Sequence, residues 1–344
     1  MMIFIYLFFI PIIIYAINIF LIKNNFLSSH TGEKHQTFVE KKNITLSGGI
    51  YLGFVTSTIF FLSDYKIFSI YILVLLFFGL LVDAKIIKKP SIRFFLQIFL
   101  VFLITYFYDL QINSTRVSIF DHLLEYKLLN YLFVCFCILV LINGTNFIDG
   151  LNGLVTGYYL IVLFFLHKNN FLLHLLFQNL YIIIFFYILF LLYFFNIFNK
   201  LYLGDSGCYL LSLVFSFIMI NHYNLEQSIS PYYIILLLWY PCFENLFSIL
   251  RKIKFNKSPV SPDNNHFHQL LFFYMKKKTK YGNLFINNCC SLIINVFNFV
   301  VLLVGSKDIF NTKLQIYLIA FNIFFYLLLY FMLYNFRYKK LKYS

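Results

Sequence analysis

The sequence predicts an all-α, polytopic membrane protein, and three observations predict it. The 344 residues are 61% hydrophobic and only 12% charged, with a mean hydropathy of +0.82, whereas a soluble domain is nearer half apolar and a quarter charged. The apolar residues fall into runs separated by charged or Gly-, Pro- and Asn-rich breaks. No interval between the runs accommodates a soluble domain, so the chain reads as a single membrane domain over 1–344. The runs give ten to eleven spans, placed at about 1–22, 48–63, 67–81, 93–108, 124–142, 150–167, 175–196, 206–222, 231–250, 284–304 and 315–335. Several are short against the roughly 20 residues a transmembrane helix needs.

The first run lacks a basic leader and a small-residue cleavage site, and it meets Lys23, so it reads as a retained span. Eleven crossings put the termini on opposite faces. The face reached after the first span then carries 21 of the 27 Lys and Arg residues, and the other carries six. The positive-inside rule makes the richer face cytoplasmic, with the N-terminus outside and the C-terminus inside the plasma (inner) membrane. The same asymmetry accounts for the net charge of +14 without nucleic acid, for which no soluble base-reading module exists. The six cysteines form no Cys-x-x-Cys pair and lie mostly in apolar runs, as small buried hydrophobes do.

Every polar cluster of chemical character falls on the cytoplasmic face. In chain order, His30, His35, Lys41 and Lys42 precede Ser47-Gly48-Gly49. Two glycines opening a span could offer backbone N–H groups to phosphate, or could serve close helix packing. Asp83 opens a basic stretch with Lys85, Lys88, Lys89, Pro90, Arg93 and Gln97, suited to an anionic headgroup or to orientation alone. Asn143, Asn146, Asp149 and Asn152 recur every third residue among Gly144, Gly150 and Gly153, too dense for interhelical glue and better read as the wall of a polar cavity. Leu203-Gly204-Asp205-Ser206-Gly207 frames a carboxylate between glycines, which can offer oxygens to a hard cation or simply turn the chain. Glu244 follows Pro241 inside the ninth run, where an acid is a site candidate or half of an ion pair with Arg251. In the cytoplasmic loop 251–283, Pro262-Asp263-Asn264-Asn265 leads to His266 and His268, which share a side in extended backbone but not on a helix. Phe267 to Met275 then runs into Lys276-Lys277-Lys278, the pattern of a helix in the headgroup region.

Together, Gly48-Gly49, Gly79-to-Asp83 with Arg93 and Gln97, Asn143-to-Leu154, Leu203-to-Gly207, Pro241-to-Glu244 and Ser261-to-His268 resemble, in order, the polyprenyl-phosphate N-acetylhexosamine-1-phosphate transferases, glycosyltransferase family 4. That membrane family includes the bacterial undecaprenyl-phosphate GlcNAc-1-phosphate and phospho-MurNAc-pentapeptide transferases, and the resemblance covers about 35–270. It implies a cytoplasmic-face enzyme that moves a sugar 1-phosphate from a UDP-sugar to polyprenyl phosphate. The products are UMP and a polyprenyl-diphosphate sugar, the first membrane step of a cell-surface glycan. It implies Mg²⁺, or Mn²⁺ in its place, at Asp205 with Asp149. Catalytic roles fall to Asp83, Asp149, Asp205, His266 and His268. Substrate contacts fall to Lys41, Lys42, Gly48, Gly49, Arg93, Asn143, Asn146, Asn152 and Asp263. A homodimer stays open, and the sugar and pathway are not legible.

Three positions depart from the pattern. Val82 replaces the first acid of the family's Asp-Asp pair, Asn152 replaces a common acid, and Cys208 stands where serine is usual. A phosphate monoester is largely ionised near neutrality, so loss of a base at Val82 is tolerable. The rival expectations are an impaired homologue that only binds polyprenyl phosphate, and a lipid or solute transporter with polar groups at mid-bilayer depth.

Overall fold

The computed structural model describes residues 2–24, 26–27, 44–172, 179–256, 258 and 264–339. Lys41, Lys42 and Asp263 lie outside the described residues, as do His30 and His35. The architecture is all-α. In chain order the helices are α1 (Met2–Lys23), α2 (Gly48–Leu62), α3 (Lys66–Asp83), α4 (Pro90–Phe107), α5 (Ser118–Leu124), α6 (Lys127–Ile148), α7 (Leu154–Lys168) and α8 (Asn179–Ile197). They continue with α9 (Gly204–Leu225), α10 (Pro231–Leu237), α11 (Trp239–Lys254), α12 (Phe267–Lys278), α13 (Asn283–Gly305) and α14 (Thr312–Lys339). Two strands of two residues, β1 (Thr45–Leu46) and β2 (Leu201–Tyr202), pair in parallel, Thr45 opposite Leu201.

Each of the eleven expected apolar segments contains a helix, but the helices are unequal. Among the described residues seven are long and apolar enough to cross a membrane, or eight when α10 and α11 count as one bent span. Helices α2 and α7, 15 residues each, are shorter. At about 1.5 Å per residue, a 15-residue helix such as α2 falls short of a ~30 Å hydrocarbon core.

Helix α9 is the axis of the bundle. Its most apolar window is 83% buried, against 22% for α4 and for α14 at the periphery. Helices α2, α3 and α6 pack around it. Close approach is possible because small residues lie at the crossings: a Cβ on Gly79 would stand 2.4 Å from Ser206 Cα. Towards the far end, Phe217 of α9 stacks on Phe68 of α3 with ring centroids 3.8 Å apart. Beyond it the exposed guanidinium of Arg116 ties three loops, donating to Ser228 O at 2.7 Å, Ile229 O at 2.9 Å and Thr312 Oγ1 at 2.5 Å.

The break between α10 and α11 bends the chain by 77°. Pro241, the third residue of α11, cannot tolerate the helical carbonyl four residues back, so α10 ends at Leu237. The redirected α11 inverts the soluble pattern. Leu246, Leu250 and Ile253 are exposed, while Glu244, Asn245, Ser248, Arg251 and Lys252 are buried. In hydrocarbon that arrangement presents the apolar face to lipid and the polar face to the protein. Helix α12, which the sequence reads as a headgroup-region helix, turns its apolar side to the protein. Phe267, Leu270 and Phe272 are buried, and the helix packs on α13 and α14.

Candidate active site

The site is assembled at one end of the bundle, where α3, α6 and α11 finish and α4, α9 and α12 begin. Gly204 turns the chain from β2 into α9 with φ +77°, a left-handed conformation that disfavours any side chain. Asp83, the last residue of α3, closes over that turn. Its Oδ1 accepts the Asp205 N–H at 2.8 Å, and its Oδ2 accepts the Ser206 N–H at 3.1 Å and the Ser206 hydroxyl at 2.6 Å. A carboxylate in this place satisfies the orphan donors of the α9 N-terminus and complements its dipole. Asp83 is therefore an N-cap supplied from another helix, with both oxygens engaged.

Asp205, in the first turn of α9, is left facing outward. Its Oδ2 lies 3.5 Å from Arg93 Nη1, with the two side chains 21% and 28% exposed. Pro90 starts α4 at a position where its missing N–H costs nothing, and Arg93 Nε grips Ile87 O at 2.9 Å. The guanidinium thus keeps further donors for an anion beside the carboxylate.

Asp149 ends α6 on the other side of α9. Burial pushes its carboxyl up to about 7, a hydrogen bond from the Cys208 thiol pulls the other way, and the nearby Asp205 charge pushes upward again. Cys208 is fully buried and feels the charge of Asp149, Asp205 and Asp83 together. One turn back, the half-buried Asn146 side chain has no hydrogen-bond partner among the described residues, and Asn143 bonds Leu139 O at 2.8 Å.

Asn152 has a different place. It is 4% exposed, its N–H bonds Asn287 Oδ1 at 2.7 Å and its amide bonds Asn199 Oδ1 at 3.3 Å. Asn196 receives the Gly153 N–H and Asn295 bonds Gly153 O at 3.0 Å. These amides knot the turn after Asp149 to α8 and α13, so Asn152 acts as a tie between helices. Gly48 and Gly49 likewise pack against the start of α9. The Gly49 N–H bonds Leu203 O at 3.1 Å, and a Cβ on Gly49 would stand 2.1 Å from Ser206 Oγ. Of the two expectations for this pair, close packing is the one this geometry supports.

The histidines arrive from α12. His266 is its N-cap, with extended backbone (ψ 150°), and His268 lies in the first turn. The extended cap lets two residues that could not share a helix face stack their rings, 5.8 Å apart and 13° from parallel. His266 Nδ1 lies 3.0 Å from Glu244 Oε1. His268 is fully buried and its two ring nitrogens have no partner among the described residues. A Cβ on Gly150 would stand 2.3 Å from His268 Nε2, so the ring rests on the backbone next to Asp149. Burial, with help from His266, pushes His268 down to about 3, so the ring is neutral.

Asp83, Arg93, Asp149, Asp205, His266 and His268 are thus gathered from five helices, with Asn143 and Asn146 on the same α6 end. Sequence reasoning passed over Lys252, which is buried with Nζ 5.3 Å from the Phe147 ring centroid. Its signal was present, a lysine on the polar face of α11. Among the described residues no three His, Cys, Asp or Glu side chains stand close enough to hold a metal ion by themselves. The donor set nevertheless fits Mg²⁺, which is commonly held by one or two carboxylates, waters and substrate phosphates. Asp205 and Asp149, close enough for each charge to oppose the other, are the oxygens such an ion would use.

Residues 65–223 match the family model described as Glycosyl transferase family 4, a segment that contains Asp83, Arg93, Asp149 and Asp205. By that match residues 65–223 are similar to glycosyltransferase family 4. The chain is also similar to the undecaprenyl-phosphate alpha-N-acetylglucosaminyl 1-phosphate transferase of Thermotoga maritima, 26% identical over 157 residues, 45% of this chain and 47% of that protein. The chain therefore spans about half the length of the curated relative it matches.

Proposed function

We propose that the protein transfers a sugar 1-phosphate, N-acetylhexosamine 1-phosphate by its similarity to that family, from a UDP-sugar to undecaprenyl phosphate or a similar polyprenyl phosphate. A lipid phosphate oxygen forms a bond to the β-phosphorus, and the bond from that phosphorus to the α-phosphate oxygen breaks. UMP leaves, and the lipid carries the diphosphate sugar. The observation that carries the proposal is the meeting of Asp205, Asp149 and Arg93 at the ends of apolar helices, within the segment that matches the family.

The chemistry brings three phosphates together in a low-dielectric setting, so charge placement dominates. Arg93 offers guanidinium donors to an incoming phosphate and restrains Asp205. Asp83 holds Asp205 through its backbone N–H. The buried ring nitrogens of His268 need polar partners, and substrate or water at the turn beside Gly150 meets that need. Mg²⁺ held by Asp205 and Asp149 would neutralise diphosphate charge.

Val82 supports a second reading, binding without turnover. It is 2% exposed in the α3 core and presents no group to the site. The two readings separate in one experiment. Purified protein is incubated with polyprenyl phosphate, Mg²⁺ and a panel of UDP-N-acetylhexosamines, and UMP is measured. Release with at least one donor supports transfer. Lipid binding without UMP from any donor supports the second reading.

A further inference from the structure

We propose that Tyr326 is a positioning residue for His266 and acts through Glu244. The inference rests on the transfer reaction proposed above and extends it to the last helix, far outside the matched segment 65–223. The three side chains form a buried line across α14, α11 and the start of α12. The Tyr326 hydroxyl donates to Glu244 Oε2 at 2.6 Å. Glu244 Oε1 lies 3.0 Å from His266 Nδ1 and 3.4 Å from the Phe267 N–H. Glu244 is 0% exposed, Tyr326 3% and His266 5%.

An acid in an apolar interior is costly unless its oxygens are occupied. Here both are, by groups from two other elements, so its carboxyl plane is fixed. The fixed carboxyl holds the Nδ1 edge of His266 and leaves the opposite edge to face ligand. Such an outer partner orients an imidazole without touching substrate. The ring is also confined by Phe147 at 5.2 Å and by His268, and the His266 N–H donates to Gln269 Oε1 at 3.2 Å, which holds the residue at the start of α12.

The preceding residues are anchored by the same helix. Tyr330 donates to Asn265 O at 3.0 Å, and Tyr338 to Asn265 Oδ1 at 2.6 Å. Arg337 donates to Asn264 O at 2.6 Å. One face of α14 thus sets both the position of the loop and, through Tyr326, the rotation of the ring it delivers.

The test is Tyr326→Phe, which keeps the ring contacts to Phe243 and Phe267 and removes only the hydroxyl. Turnover by this variant should fall about tenfold in kcat, the size of one lost hydrogen bond, with little change in KM for either substrate. In a His266→Asn background the same substitution should have no further effect. A loss that multiplies with His266→Asn overturns the proposal, because Tyr326 then acts elsewhere. A second measurement is independent of activity. In protein labelled with ¹⁵N-histidine, Tyr326→Phe should move the His266 ring resonances and leave those of His167 in place; unmoved His266 resonances also overturn it. If the wild-type protein turns over no nucleotide sugar, the transfer reading fails while these resonances still decide the relay.

Discussion

Replacing Asp83 distinguishes a helix cap from a chemical base. Its carboxylate receives three donors, two of them from Ser206, which is 0% exposed. Asp83→Ala leaves the Ser206 N–H and hydroxyl without acceptors in the protein interior, at about 1–3 kcal/mol for each buried group. Asp205 is only partly buried, so the loss of an acceptor for its N–H is counted as small. The sum is about 3 kcal/mol of stability. Asp83→Asn keeps one acceptor and turns an amide NH₂ towards a donor, for roughly half that loss. Thermal unfolding of purified protein in detergent should therefore rank wild type above Asn above Ala. Turnover should fall in the same order, and half-maximal activity should require more Mg²⁺ as Asp205 loses its backbone restraint. A base would behave differently, since removing it costs rate without stability. An Asp83→Asn variant that unfolds at the wild-type temperature, yet releases no UMP, would refute the capping argument.

Two further outcomes follow from the packing and from the histidines. Gly144→Ala places a Cβ 2.1 Å from Pro241 O, where backbone must shift. Overpacking of about 1–3 kcal/mol is expected, seen as a lower unfolding temperature with Glu244 displaced; an unchanged temperature would show that α6 and α11 separate freely. His268, held at about 3 by burial, gains its charge only below that value and is neutral above it. His268→Asn should therefore leave the limbs of the pH–rate profile between pH 5 and 9 where they are in wild type; loss of the acid limb in that variant would contradict the burial argument.

Much of this site is legible in the sequence because the bilayer makes polar residues conspicuous. Asp205 between two glycines and Asp149 in an amide-rich stretch stand out against runs of Phe, Leu and Ile. Other assignments needed three dimensions. Asn152 belongs to the same three-residue repeat as Asn146, but the turn at Gly153, φ +73°, sends it into the amide knot with Asn199 and Asn287. Asp83 reads as an acid in a basic loop, and only the approach of α3 to α9 shows that its oxygens are occupied. Tyr326 is one of 28 tyrosines, in a run rich in Phe and Leu, and nothing local sets it apart. The unequal helix lengths were hidden for a related reason, since apolar runs mark where helices lie but not how far α2 and α7 reach.

The central claim is the transfer reaction at Asp205. The most direct measurement is UMP release by purified wild-type protein and by Asp205→Ala, with undecaprenyl phosphate, Mg²⁺ and UDP-N-acetylhexosamines, alongside the unfolding temperature of both. The account predicts UMP from the wild type and none from the variant, with the fold retained, because the Asp205 side chain faces outward and its backbone N–H remains bound to Asp83. Equal UMP release from both proteins would contradict it.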